Sequence, residues 1–315
     1  MVELYLAPLR RDLEGTVWHK CLTAMQFVDD RLGWAVGSAQ IVRTTNAGRT
    51  WSNFFDESMA HLAFAPKKLS APTRDTCWVI DTIGSGKTRC LFTFDGGQTW
   101  WPLELGSSQY PQDIFFFNSQ RGWLICDNGT IEKDVPTIRS TRNGGQTWQS
   151  QQLNIEGRPE IIRFVDRNHG WLVERILKNV QTESISRLHR SIDGGETWDF
   201  VRAFDDRILD LRIRNRKQIF VCGESGLIAF SPNGGLKWHR FNTGTNEAIN
   251  FVTLGGAQSV VAGGDFGFLL LSRDQGDTWR QLHGLDSDVN LVGAYLLSES
   301  KLIVCSSVSI TYVDI

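Results

Sequence analysis

Arg163 stands in the run IIRFV and Arg212 in LDLRIR, in each case a guanidinium among aliphatic neighbours. Arginine presents five N–H donors in a planar fork that matches a carboxylate. Residues of this kind suit either ion pairs inside a protein or the grip on an acidic group of another molecule. Arg187, Arg190 and Arg214 lie close by in sequence, and the five together are a candidate basic cluster for a partner. The stretch 133–217 holds 16 Lys and Arg against 12 Asp and Glu, a net of +4, while the rest of the chain carries −6 for a total of −2.

Other runs offer less chemistry. Gly84-Ser85-Gly86-Lys87-Thr88 suggests a phosphate loop, but the GxxxxGK[ST] pattern needs glycine where Asp81 stands. The next residues, RCLFTFDGG, are strand-like, whereas a phosphate loop launches a helix whose amides face the phosphates. The run is read as a hairpin loop, and Asn128-Gly129-Thr130, which has the form of a glycosylation acceptor, as a turn. Six cysteines contain no CxxC pair and are read as buried free thiols. The histidines show no metal-ligand spacing, and no cofactor is implied. A pI near 6.3, with no stacking aromatics interleaved among the basic residues, argues against nucleic acid. No apolar run approaches the roughly 20 residues of a membrane-spanning helix. The apolar start of MVELYLAPLRRDLEG is too short for a secretion signal, so a cytoplasmic location is expected.

The elements that must position these residues come from an internal repeat. One octapeptide occurs six times: TTNAGRTW at 44–51, TFDGGQTW at 93–100, TRNGGQTW at 141–148, SIDGGETW at 191–198, SPNGGLKW at 231–238 and SRDQGDTW at 272–279. Its third position is Asn46, Asp95, Asn143, Asp193, Asn233 and Asp274; its eighth is Trp51, Trp100, Trp148, Trp198, Trp238 and Trp279. Asp and Asn side chains bond nearby amides, and glycine takes the positive φ of a tight reversal. The following Thr-Trp re-enters a strand, where the indole buries a large area. Upstream, FVDDRLGW, FFNSQRGW and FVDRNHGW each read as strand, polar turn, strand. Four short strands per 40–50 residues make a propeller blade. The chain is therefore expected to be all-β: a single domain over 1–315, a seven-bladed propeller of four-stranded antiparallel blades. The last blade draws three strands from Val289–Leu297, Lys301–Ser306 and Ser309–Val313. An N-terminal strand near Trp18 is expected to complete it and remove two sheet edges. Arg163 and Arg212 fall at corresponding places in the first strands of successive blades, which run nearest the central channel.

The octapeptide resembles the Asp-box, or BNR repeat, of sialidases, some glucan hydrolases, sortilin-type receptors and photosystem II assembly factors of the Ycf48/HCF136 type. In those families the box is structural, which implies no catalytic role for its residues here. The fuller pattern, from Phe27, Asp29, Gly33, Trp34 and Gly37 to Thr44, Asn46, Gly48, Thr50 and Trp51, is most similar to the Ycf48 type, over essentially the whole chain. That resemblance implies a non-enzymatic, chaperone-like propeller that binds a membrane-protein subunit; the arginine cluster suggests an acidic segment of a partner protein, and no membrane insertion is expected. A sialidase would need an arginine triad and a Tyr-Glu nucleophile. The early Arg-Ile-Pro motif is absent, and sequence brings no Glu to Tyr5, Tyr110, Tyr295 or Tyr312. The alternatives are a carbohydrate-active Asp-box propeller and a structural subunit of a larger complex.

Overall fold

The computed structural model describes residues 5–7, 21–37, 40–54, 65–81, 90–105, 109–127, 136–178 and 184–315. Its strands form seven four-stranded antiparallel sheets, each taken in chain order except the last. The innermost strands are Leu22–Phe27, Lys68–Ser70, Tyr110–Phe116, Arg158–Phe164, Ile208–Ile213, Ile249–Gly255 and Leu291–Ser298, for blades 1 to 7. Apolar clusters fill the spaces between adjoining sheets: blades 1 and 2 share Trp34, Val36, Val79 and Leu91, and blades 6 and 7 share Phe251, Leu271, Leu302 and Val313.

The ring closes through the N-terminus, as expected, but with a different strand. Tyr5–Ala7 pairs antiparallel with Ile310–Asp314, in the register Tyr5 to Tyr312 and Ala7 to Ile310. Trp18 lies outside the described residues, as do the Gly84–Thr88 run and Asn128-Gly129-Thr130. Strands Cys77–Ile80 and Cys90–Thr93 flank the Gly84–Thr88 run as an antiparallel pair, so no helix follows it.

Each octapeptide builds the same turn. In blade 2 the Thr93 hydroxyl donates to Asp95 Oδ1 at 2.7 Å and accepts the Gly97 amide at 2.9 Å. Asp95 also accepts the amide and the hydroxyl of Thr99, at 2.9 and 2.5 Å. The turn is then tied to the hairpin between the first two strands of its own blade: Gly96 N–H donates to Asp75 O, Gly144 to Gln120 O and Gly234 to Lys217 O. All the boxes therefore lie at one end of the propeller, together with those first hairpins.

The tryptophans explain why the fifth box position is glycine. Trp34, Trp78 and Trp123, from second strands, are buried to at most 1 % exposure. Each meets the box of the following blade: Trp34 lies edge-on to Trp100 at 5.9 Å, and Trp78 to Trp148 at 5.7 Å. Gly145 has φ +89°, and a Cβ there would sit 2.3 Å from the Trp78 ring. Glycine thus serves both the backbone and the close contact between blades.

Candidate functional site

The first strands of neighbouring blades are not hydrogen-bonded to each other as a ladder, so side chains fasten them. Gln26 exchanges two hydrogen bonds with the Ala71 backbone, the Phe116 amide donates to Ser70 Oγ, and Thr253 Oγ1 donates to Ala294 O. Across blades 2 to 5 ion pairs join the fastening. Asp113 lies 3.7 Å from Lys68 and 2.5 Å from Arg163, whose other nitrogen is 3.8 Å from Asp210. Asp210 in turn accepts Arg212 Nε at 3.1 Å, and Arg212 Nε also meets Val252 O. Both carboxylates reach an amide of the next blade, Ile162 from Asp113 and Val252 from Asp210.

Arg163 and Arg212 therefore occupy the corresponding channel positions expected of them, but their work is internal. The Arg163 side chain is 15 % exposed and Asp113 is 2 % exposed. Burial opposes the Arg163 charge, and Asp113 and Asp210 more than offset it, so its pKa is raised. Arg212 is 40 % exposed yet bonded to Asp210 and to the next blade.

The other three candidates lie apart. Arg187, on strand Ser184–Ser191, bonds Glu156 at 2.6 Å toward the end away from the boxes. Nearby at that end Arg175 and Arg207 share Glu160, and Arg158 pairs with Asp127, so its arginines are matched by acids. Arg190 directly precedes a box, with its guanidinium beside Gly234 of the next blade. Arg214 opens the first hairpin of blade 5 and donates to Gly256 O and Ser259 O of blade 6. The predicted five thus divide among the channel, the far end and the box end.

At the box end of blades 3 to 5, Arg190 and Arg214 join residues that the sequence reading did not single out: Arg121, Arg142, Arg167, Arg216, Lys217 and Lys237. The carboxylates among them are Asp166, Asp193, Glu196 and Asp199, with Asp193 taken up by the hydrogen bonds of its own turn. Asp166 is held well below the usual carboxylate range: burial alone would raise it, but the amides of Asn168 and His169, the His169 ring and Arg216 outweigh that. Glu196 lies 3.7 Å from Arg142, with both side chains about two-thirds exposed. The pKa of Arg121 is lowered by burial first and then by its neighbours Arg142 and Arg167. Like charges facing one another with few counterions leave this end able to hold a carboxylate or another anion. A cleft of about 230 Å³ between blades 3 and 4, lined by Arg121, Arg142, Ser140, Gln149 and Gln151, opens within it. One signal for this surface was present in the sequence, since its cations recur in the first hairpin and at variable box positions.

Tyr295 has a carboxylate beside its hydroxyl, Asp30 at 3.0 Å. Burial, and then Asp30, push its pKa up to about 12. A phenolate nucleophile needs the opposite shift. Among the described residues no group of three or more His, Cys, Asp or Glu is placed to hold a metal ion, and no helix is long and apolar enough to cross a membrane.

No protein-family model matches the chain, and no curated protein matches it. Solved structures do. YCF48 bound to D1 peptide is 19 % identical at TM-score 0.71, covering 100 % of this chain and 96 % of that one. YCF48 from Cyanidioschyzon merolae is 18 % identical at TM-score 0.73, covering 99 % and 98 %. The WD40 β-propeller domain of Doa1 is 10 % identical at TM-score 0.61, covering 95 % and 94 %. The chain has the fold of the YCF48 structures over its whole length.

Proposed function

We propose that this chain is a non-enzymatic propeller of the scaffold or assembly-factor kind, which binds a partner protein through the arginine-rich box end of blades 3 to 5. The observation that carries the reading is the contrast between the two ends. Arginines at the far end and in the channel are matched by acids. At the box end Arg142 and Arg216, 64 % and 63 % exposed, pair with Glu196 and Asp166, while Arg167, Arg190, Lys217 and Lys237 pair with no acid among the described residues. Arginine is enriched at protein interfaces, and an uncompensated patch steers an acidic partner toward it. Likeness to a structure in which YCF48 holds a D1 peptide supports a protein as the ligand. The partner in this reading is a protein with an acidic segment, such as a membrane-protein subunit.

The test is capture from the native host with three forms: the natural chain, Arg142→Glu/Arg167→Glu/Lys217→Glu at the box end, and Arg158→Glu/Arg187→Glu at the far end. A partner retained by the first and third and lost by the second is expected. Loss from the far-end variant alone would refute the assignment of the face.

A further inference from the structure

The repeats provide their own control for surface residues. Three positions around each box are free of turn chemistry: the residue before it, its second residue, and the residue after its tryptophan. Across the six boxes these are Arg43, Thr45 and Ser52; Phe92, Phe94 and Trp101; Ser140, Arg142 and Gln149; Arg190, Ile192 and Asp199; Phe230, Pro232 and His239; Leu271, Arg273 and Arg280. Blade 2 carries Phe or Trp at all three, and no other box carries Phe, Tyr or Trp at more than one. The turn needs no such residues, since the other five boxes fold with none or one.

These aromatics form one surface. Trp78, Phe92 and Trp101 are directly opposite one another across three neighbouring strands, which places them on one face of the sheet. Phe94, two residues along from Phe92, shares that face, with ring centroids 5.1 Å apart. Trp78 is wholly buried against Phe116 and Trp148 of blade 3. Beyond it the row comes into the open: Phe94 is 47 % exposed and Trp101 57 %. The blade 3 box adjoins this row, and its second residue is Arg142, which pairs with Glu196 at the edge of the arginine-rich surface.

Leaving two large aromatic rings half in water gives up the burial that each would gain in an interface. Clustered aromatics beside arginines have the composition of binding hot spots. A polyphosphate chain suits this surface poorly, because Asp75, Glu196 and Asp199 are interspersed among its cations. A protein segment can space its acids to meet the arginines alone.

We infer that Phe92, Phe94 and Trp101 form an apolar anchor at the edge of the arginine-rich box end, for a partner segment carrying a bulky apolar side chain with carboxylates close by in sequence. The inference rests on the protein-binding reading above and adds the chemistry of the segment recognised.

The test is selection of a random peptide library displayed on phage against the intact chain at physiological salt. The leading peptides are then synthesised and their affinities measured for four forms: Phe94→Ser/Trp101→Ala, Phe266→Ser, Arg142→Ser/Arg167→Ser and the natural chain. Enriched peptides are expected to combine an aromatic or large aliphatic residue with neighbouring Asp or Glu. Affinity is expected to fall roughly 30-fold or more in the Phe94/Trp101 variant. It should be unchanged in Phe266→Ser, which removes another exposed phenylalanine, 59 % exposed, elsewhere. It should fall with the arginine variant in a salt-dependent way. Acidic peptides that bind the Phe94/Trp101 variant as well as the natural chain would overturn the anchor and leave the arginine surface standing. Apolar peptides without acids, or tighter and Trp101-dependent binding of a thymidine 20-mer, would overturn the stated partner. Peptides that ignore both surfaces would overturn the inference and the functional reading together.

Discussion

Replacing Arg163 by Met separates a fastener from a binding residue. The guanidinium bridges Asp113 of blade 3 and Asp210 of blade 5 at 15 % side-chain exposure. Methionine keeps much of the aliphatic stem and removes the charge. Breaking a buried pair by removing one partner costs about 3–5 kcal/mol. Asp113 retains the Ile162 amide and Lys68, and Asp210 retains Arg212 and the Val252 amide. The expected loss is therefore at the low end, about 3 kcal/mol. With roughly 2.1 cal/mol/K of unfolding entropy per residue, a chain of this length that unfolds as one unit should drop about 4–5 °C in Tm. Asp113→Asn in the same background removes the stranded charge, and it should recover part of the loss in a double-mutant cycle. Calorimetry and urea unfolding supply the numbers. An Arg163→Met chain with unchanged stability and lost partner binding would refute the channel account and return Arg163 to the binding surface.

Three further outcomes rest on the same physics. Hydrogen bonds from the Thr99 and Thr278 hydroxyls, then from the same residues' amides, lower the Asp95 and Asp274 carboxyls to about 2, against about 3.9 in an unfolded chain. The stability they contribute is complete above about pH 4 and is lost as pH falls through 2, so Asp95→Asn/Asp274→Asn should lower stability above about pH 4 and flatten the acid limb of a stability–pH profile. In boxes 1 and 3 the Asn amide donates to a threonine hydroxyl, at 2.8 and 2.9 Å; Lys237 denies Asn233 that partner, and Lys237→Thr should stabilise by about 0.5 kcal/mol, read in urea unfolding. Deleting residues 1–8 removes the strand paired with Ile310–Asp314 and should lower Tm and promote concentration-dependent association through the freed edge, measured by light scattering.

The fold was legible because the box needs few residues at fixed spacing and uses all of them. Thr93, Asp95, Gly97 and Thr99 each take part in the turn's hydrogen bonds, and Trp100 packs on the preceding blade. The closing strand was harder to place. A tryptophan at position 18 resembles the box tryptophans, whereas three ordinary residues at Tyr5–Ala7 make the pairing. Arg163 and Arg212 were visible as unusual, and their shared position in the blade was correct. The partners of Arg163, Asp113 and Asp210, lie 50 and 47 residues away in sequence, and that pairing depends on how blades meet. The box-end surface was obscured for a similar reason. Arg121, Arg142 and Arg167 come from different turns, and the fold alone brings them to one end. Phe92, Phe94 and Trp101 could have been found by comparing the repeats at positions outside the turn's own pattern.

The most direct measurement places a photo-crosslinking benzoylphenylalanine singly at positions 142, 217 and 237 at the box end, and at 156, 224 and 247 at the far end, in the native host. Irradiation should join the same partner protein to the chain from the first three positions and leave the last three uncrosslinked. A partner crosslinked from the far end and absent from the box end would contradict the account.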